Sequence, residues 1–262
     1  MSEVEDPADI LNDALAFLGG KQVIDDEIIE YGDLQLTVAP KRILTFQANT
    51  LLADHLFSPG LFLAERIERG LIQSHKRTVV ELGAGCALPS LLLSTAPAPP
   101  STIVITDYPD PGILGNLSRN VERNSRLVSS GCSVHCCGYD WGTDVTPLLC
   151  VSRCHHDAGY DLVILSDLLH FHSSHDVLVF SVDALLAHSP DARVHVAAGT
   201  YTKPEVCQNF LRIAAQKDFV FDEVLPADGD GEWLGNCTVS GLDRAALATR
   251  KSACRYWVGR RV

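Results

Sequence analysis

The sequence predicts an α/β fold, with a doubly wound, seven-stranded and mostly parallel sheet that has helices on both faces. Strand-like and helix-like segments alternate from Thr78 onward, which is typical of parallel strands joined by crossover helices. Residues 162–165 read Leu-Val-Ile-Leu, and a continuous apolar run indicates a strand buried on both faces. A glycine-rich turn follows the first strand of the series, at a position where such folds bind ligands.

Apolar periodicity locates the individual elements. The predicted strands are residues 78–82, 102–106, 133–137, 161–166, 193–198, 220–224 and 254–259. The predicted helices are residues 88–94, 112–124, 145–151, 174–187 and 204–216. Because parallel strands end at the same edge of a sheet, polar residues just after these strands are the candidate binding residues.

The first part of the chain is predicted to be an extension, residues 1–45, that precedes a main domain at residues 46–262. Apolar residues recur at helical spacing in residues 7–18, and residues 34–38 alternate like a strand. Residues 44–56 have the pattern of a helix that leads into the main domain. The main domain therefore contains all seven predicted strands of the sheet.

The charge composition indicates which classes of binding partner are favoured. The chain has 262 residues with 21 Lys and Arg against 33 Asp and Glu, a formal net charge of -12. An acidic field repels phosphate backbones and attracts cations, so nucleic acid is disfavoured as a partner and a positively charged substrate is favoured.

Hydropathy and cysteine content indicate the cellular location of the protein. Its apolar stretches fall short of the roughly 18–20 residues that a membrane span needs, and its acidic start lacks the features of a secretory leader. The nine cysteines without such a leader favour reduced thiols. We therefore expect no membrane partner and a cytoplasmic location.

The turn after the first strand carries the most information about a ligand. Residues 79–90 read Val-Val-Glu-Leu-Gly-Ala-Gly-Cys-Ala-Leu-Pro-Ser, in which Gly83 and Gly85 let the backbone bend and approach a ligand closely. A dinucleotide-binding turn needs a third glycine where this chain has Leu88. The carboxylate of Glu81 would also repel a pyrophosphate, whereas it suits S-adenosylmethionine (SAM), which brings an amino-acid end and a sulfonium cation.

Acidic residues follow the next two strands. Asp107 ends the second strand, where a carboxylate can accept both hydroxyls of a ribose. Asp140 and Trp141 follow the third strand, where they can accept the adenine amine and cover the ring. Ser166 and Asp167 end the fourth strand and face the same crevice, at the place where a transferred group would sit.

Histidines and cysteines in clusters do not predict a metal site. His170, His172 and His175 have spacings that fit a solvated loop leading into a helix. Cys132, Cys136 and the other cysteines lack the paired spacing of a structural zinc site. We therefore predict that the protein binds no metal.

These motifs together resemble the seven-β-strand (class I) SAM-dependent methyltransferases, over about residues 40–262. The similarity is greatest to the fungal nicotinamide N-methyltransferase-like group, which includes lysine and N-terminal methyltransferases of elongation factor one-alpha. Four segments carry this resemblance: residues 81–90, Thr-Asp-Tyr-Pro-Asp at 106–110, Asn-Leu-Ser-Arg-Asn-Val at 116–121, and Ser-Asp-Leu-Leu at 166–169 with His172 and His175. The resemblance implies a Rossmann-like fold and SAM as cofactor.

The resemblance also implies roles for single residues. The residues implied to bind the cofactor are Phe46, Glu81, Gly83, Gly85, Asp107, Tyr108, Asp140, Trp141 and Ser166. Tyr108 would flank the adenine. Phe46-Gln47-Ala48 stands where the family usually has a Trp-Asn-Ala run that closes over the cofactor, and Ala87 stands where the loop usually has its third glycine.

The implied activity is SAM-dependent N-methylation of a protein amine, either a lysine or an N-terminus. Asp167 would line the transfer site and orient the amine, while His170 or His172 would relay its proton. Two alternatives stay open at this point: a methyltransferase of small molecules, such as a nicotinamide-like or secondary-metabolite acceptor, and a SAM-binding subunit without catalytic activity.

Overall fold

The computed structural model describes residues 28–39, 56–152, 159–227 and 230–262. The predicted helix at 7–18 and the site residue Phe46 lie outside the described residues. Of the predicted helix at 44–56 only Leu56 is described, and it belongs to no helix. The division of the chain at residue 45 remains a prediction.

Nine strands are described, two in a hairpin and seven in the central sheet. The hairpin consists of β1 (Ile29–Tyr31) and β2 (Leu34–Leu36). The sheet consists of β3 (Thr78–Leu82), β4 (Thr102–Asp107), β5 (Ser133–Gly138), β6 (Leu162–Ser166), β7 (Arg193–Gly199), β8 (Phe219–Glu223) and β9 (Cys254–Arg261). Its order is β5-β4-β3-β6-β7-β9-β8. Strands β3 to β7 pair in parallel, and β9 is antiparallel to both β7 and β8, which confirms the predicted sheet.

The described helices are α1 (Ser58–Glu68), α2 (Leu88–Ser94), α3 (Pro111–Asn124), α4 (Thr146–Val151), α5 (His175–Leu185), α6 (Pro204–Ala215) and α7 (Arg244–Ser252). All five helices predicted after the first strand are present, and their boundaries differ by up to two residues. Helix α5 starts later than predicted because residues His172–Ser174 form a separate 3-10 turn.

Two helices were not predicted from the sequence. Helix α1 begins with Ser58-Pro59-Gly60, which has the composition of a turn. Proline is nevertheless compatible with the first turn of a helix, where its missing N–H has no partner to lose. Helix α7 is polar on average, and its buried residues are Leu247 and Lys251, so its sequence lacks the apolar stripe that identifies a core-facing helix.

Alternate residues of the central strands pack into two separate apolar clusters. Val79, Ile103 and Ile164 join a cluster that also contains residues of α1, α2, α3 and α7. Val80 and Val163 join a second cluster with residues of α4, α5 and α6. Side chains alternate between the two faces of a strand, so helices cover both faces of this sheet as predicted.

Apolar helices in the described part of the chain are all too short to cross a membrane. A metal-binding group of three or more His, Cys, Asp or Glu residues is likewise absent from that part.

Candidate active site

A cavity of about 240 Å³ lies at the carboxyl ends of β3, β4, β5 and β6. The sheet order explains its position, because β3 lies between β4 and β6. The connection from β3 leads to β4 on one side, and the connection from β5 returns to β6 on the other side, so a crevice opens at the ends of these strands. The predicted site residues that line the cavity are Gly83, Gly85, Asp107, Tyr108, Asp140, Trp141, Ser166, Asp167 and His170.

The glycine turn forms one wall of the cavity. Gly83 and Gly85 both have φ +56°, in the left-handed region that favours glycine. A Cβ on Gly83 would lie 2.7 Å from a methyl carbon of Leu168, whereas a Cβ on Gly85 would have no atom within 4 Å. Gly85 therefore faces open space, and Gly83 packs closely. Ala87, at the position of the third glycine, also has a left-handed φ of 62° and precedes α2.

Asp107 fastens the turn to the end of β4. One oxygen of its buried carboxylate accepts a hydrogen bond from the Gly85 amide at 2.7 Å, and the other accepts one from the Tyr108 amide at 2.7 Å. Burial raises the pKa of Asp107 to about 6, although both amide bonds stabilise its ionised form. Each oxygen retains a lone pair that can accept a further donor.

Glu81 lies beneath α2 and does not contribute to the lining of the cavity. One carboxylate oxygen accepts a hydrogen bond from the Ser90 amide at 3.2 Å. The other oxygen is buried without a hydrogen-bond partner among the described residues. Burial raises the pKa of Glu81 to about 8, and the charge of Asp107 acts in the same direction. Its contact with a cofactor remains a prediction.

Residues after β5 form a second wall. The Tyr139 hydroxyl donates to Ser181 of α5 at 2.9 Å, and the Gly142 amide donates to the same oxygen at 2.9 Å. Trp141 contacts Phe171 edge-on, with ring centroids 5.6 Å apart. Asp140 is exposed to solvent at the cavity mouth. Ser181 thus fixes the loop that carries Asp140 and Trp141.

The end of β6 supplies the two residues predicted to act on the acceptor. Asp167 has φ +65°, and its carboxylate accepts hydrogen bonds from the Gly199 amide at 3.3 Å and from the Tyr201 hydroxyl. Burial raises the pKa of Asp167, and interactions with His170 and Tyr201 oppose this. The loop after β7 therefore holds this carboxylate in place.

His170, unlike Asp167, has no partner for its polar side-chain atoms in the described part of the chain. Both of its ring nitrogens are buried, and neither has a hydrogen-bond partner among the described residues. Its ring stacks obliquely on Phe171, with centroids 3.9 Å apart. Burial lowers the pKa of His170, while the negative charge of Asp167 opposes the change. The lowered pKa favours the neutral imidazole, whose residue lines the cavity and whose nitrogens bond no described side chain.

Some lining residues were not predicted from the sequence. Leu56, Phe57 and Gly60 reach the cavity from the start of α1, and that helix itself gave no sequence signal. Tyr139 and Phe171 also line the cavity. They could have been predicted from the sequence, because they are the direct neighbours of the predicted site residues Asp140 and His170.

A model of the lysine methyltransferase family matches residues 47–216. The chain belongs to this family. That membership confirms the methyltransferase class expected from the motifs, and the fold and family together imply that SAM is the cofactor.

Three fungal relatives illustrate the similarity, each named as a protein N-terminal and lysine N-methyltransferase, efm7. The Schizosaccharomyces pombe protein is 30% identical over 182 residues, which cover 70% of this chain and 66% of that protein. The Gibberella zeae protein is 32% identical over 184 residues, with coverages of 66% and 68%. The Aspergillus fumigatus protein is 29% identical, with coverages of 77% and 81%. The chain thus matches about two thirds of the length of the first two relatives.

Proposed function

We propose that this lysine methyltransferase family member transfers a methyl group from SAM to a protein amine, on a lysine or at an N-terminus. The observation that carries the proposal is the junction of Gly85 and Asp107 at the edge of the cavity. An open backbone turn and a ribose-type carboxylate meet there through one hydrogen bond. Family membership and the names of the fungal relatives support the protein amine as acceptor.

The described residues fit SAM. Gly83 and Gly85 would pass under its methionine part, where the open space at Gly85 leaves room for it. The free lone pairs of Asp107 would accept the ribose hydroxyls, and Tyr108 would flank the adenine. Asp140, Trp141 and Ser166 also line the cavity and are proposed to hold the cofactor. Phe46, which lies outside the described residues, and Glu81, which is buried outside the cavity lining, stay predictions from the sequence. When bound, SAM supplies a methyl group that its sulfonium makes electrophilic.

The protein's task at the acceptor is to align the amine and to remove its proton. An amine attacks only when it is neutral. We propose that His170 accepts this proton, since its nitrogens are unpaired and its neutral form prevails. Asp167, already bonded to Gly199 and Tyr201, would stabilise the imidazolium through its charge. The net charge of -12 favours the approach of a cationic protein segment.

Calorimetric titration with S-adenosylhomocysteine tests the cofactor assignment. Wild type and the exposed-site control Glu122→Ala are expected to bind equally, and Asp107→Ala is expected to bind at least tenfold more weakly. Wild type that releases no heat on titration would contradict the proposal. Binding that is unchanged in Asp107→Ala would contradict the role of Asp107.

Transfer of label from radiolabelled SAM in a cell extract tests the acceptor. Label in protein supports the proposal, whereas label only in small molecules would favour a small-molecule methyltransferase. Cofactor binding without transfer to either would favour a non-catalytic SAM-binding subunit. The cytoplasmic location stays a prediction, which imaging of a tagged full-length chain would test.

A further inference from the structure

Helix α3 presents three buried asparagines on one face. Asn116, Asn120 and Asn124 are spaced by four residues and are each at most 2% exposed. Residues with this spacing lie above one another along a helix. A row of buried amides requires hydrogen-bond partners, because an unpaired buried amide is costly.

The backbone just after the β1–β2 turn supplies those partners. Asn124 accepts from the Gln35 amide at 2.9 Å and donates to the Gln35 carbonyl at 2.8 Å. Asn120 accepts from the Thr37 amide at 2.9 Å and donates to the Thr37 carbonyl at 2.8 Å. Asn116 donates to the same carbonyl at 2.7 Å. The asparagines thus pair with residues 35–37 in the way that a neighbouring strand would.

Asn120 alone of the three also contacts the glycine turn. Its amide group donates to the carbonyl of Cys86 at 3.2 Å, and Cys86 directly follows Gly85 in the cavity wall. Asn124 instead donates to the carbonyl of Asn120 within the helix. Asn120 therefore joins residue 37 to the turn, although these segments are far apart in sequence.

We propose that Asn120 is a positioning residue that couples the docking of residues 35–37 to cofactor binding in the glycine turn. The inference rests on the proposed use of SAM. Without Asn120, the buried carbonyls of Cys86 and Thr37 each lose a donor, and the turn loses a fixed point beside Gly85. Since coupling between two sites is reciprocal, an occupied turn stabilises the docked segment in return.

Calorimetry with S-adenosylhomocysteine on the full chain compares Asn120→Ala with the matched control Asn124→Ala. Both variants lose bonds to the backbone of residues 35–37, but only the first loses the bond to Cys86. Binding is expected to weaken about three- to tenfold in Asn120→Ala, the range of one hydrogen bond, and less than twofold in Asn124→Ala. Equal affinities in the two variants would overturn the inference while leaving SAM binding established by the wild type.

Hydrogen exchange on the wild type provides a second test that requires no variant. Saturating S-adenosylhomocysteine is expected to slow exchange of the Gln35 and Thr37 amides at least threefold, although neither residue lines the cavity. Unchanged exchange at both amides with bound ligand would overturn the coupling. A wild type that binds no ligand would instead overturn the proposed function on which the inference rests.

Discussion

The Asp107 carboxylate accepts a hydrogen bond from the Gly85 amide at 2.7 Å, so the end of β4 fixes the turn that follows β3. The Ala84 amide adds a second link, to the carbonyl of Thr106 at 3.0 Å. The residue proposed to bind ribose and the turn proposed to pass under methionine are therefore one hydrogen-bonded unit. A substitution of Asp107 is therefore expected to alter the geometry of the turn, and a substitution of Gly85 is expected to alter the position of the Asp107 carboxylate.

Gly85→Ala is expected to weaken binding of S-adenosylhomocysteine about tenfold or more, because the new Cβ projects into the cavity. The left-handed φ of 56° also costs stability, by about 1–2 kcal/mol for an L residue. Calorimetry measures the binding, and thermal unfolding measures the stability.

Gly70→Ala is the matched control. Gly70 has φ +68° and open space at its Cβ position, but it follows α1 at an exposed position outside the cavity lining. Its substitution is expected to cause a similar loss of stability with unchanged binding. Equal losses of affinity in the two variants would assign the effect to general destabilisation.

Glu81→Gln is expected to stabilise the protein increasingly as the pH rises. The pKa of Glu81 is about 8 in the folded chain, whereas an unburied glutamate, as in the unfolded chain, has a pKa of 4.5. The unfolded chain therefore releases this proton first, and stability falls as the pH rises from about 4.5 to 8. Denaturant unfolding at pH 5 and pH 8 is expected to show the variant gaining roughly 3 kcal/mol over wild type, since one pKa unit is about 1.4 kcal/mol.

Glu122→Gln, at an exposed position of α3, provides the comparison for this pH series. Its stability is expected to follow that of wild type at both pH values. A Glu81→Gln variant whose difference from wild type stays constant between pH 5 and pH 8 would show that Glu81 is ionised in the folded chain.

The central sheet could be predicted from the sequence because its buried strands consist mainly of apolar residues. Val79, Val80 and Leu82 are fully buried apolar residues of β3, with Glu81 between the last two. Helix α1 could not be predicted, because most of its residues are buried and its hydrophobicity does not vary strongly around the axis. The part of the cavity wall that α1 forms was missed for the same reason.

The residues at the strand ends were identified because the fold brings such positions together, but their partners were not. Tyr201 contacts Asp167 from the loop after β7, and Asn120 contacts Thr37 across 83 residues of sequence. No local pattern encodes contacts between residues so far apart in sequence. The sequence therefore indicated which strand-end residues are candidates for the chemistry, and the structure was needed to show which groups they contact.

His170→Gln is expected to lower the rate of methyl transfer by about 100-fold, the lower range for loss of a general base. Binding of S-adenosylhomocysteine is expected to change little. His172→Gln is the control, because His172 is exposed and lies outside the cavity lining. Transfer of label from SAM to the acceptor measures the rate. A larger effect of His172→Gln would assign the proton relay to His172 instead.

The pH dependence of transfer tests the same residue in the unaltered protein. Only neutral imidazole accepts a proton, so the base is present above its pKa and is lost below it. Because burial lowers the pKa of His170, the acid limb of the rate profile is expected below pH 6.5, the ordinary value for histidine. The acceptor amine titrates above that value and contributes a limb of its own, so a limb below pH 6.5 that persists in His170→Gln would contradict the role of His170.

Lys251→Met is expected to destabilise the fold by about 3–5 kcal/mol, because it removes the nearer of the two cationic partners of the buried Glu65 carboxylate. The Lys251 ammonium contacts Glu65 of α1 at 2.7 Å and Asp230 at 2.9 Å, and the side chains of Lys251 and Glu65 are 5% and 0% exposed. This ion pair ties α7 to the helix whose start lines the cavity. Denaturant unfolding measures the loss.

Two further variants distinguish a lost partner from a lost side chain. Glu65→Gln combined with Lys251→Met removes both charges, so the double variant is expected to be more stable than Lys251→Met alone. Lys217→Met removes an ion pair of 3.9 Å whose side chains are 51% and 30% exposed, and it is expected to cost less than about 1 kcal/mol. A double variant less stable than Lys251→Met would show that Glu65 remains paired without the lysine, through Arg69 at 3.4 Å and the Leu234 amide at 2.9 Å.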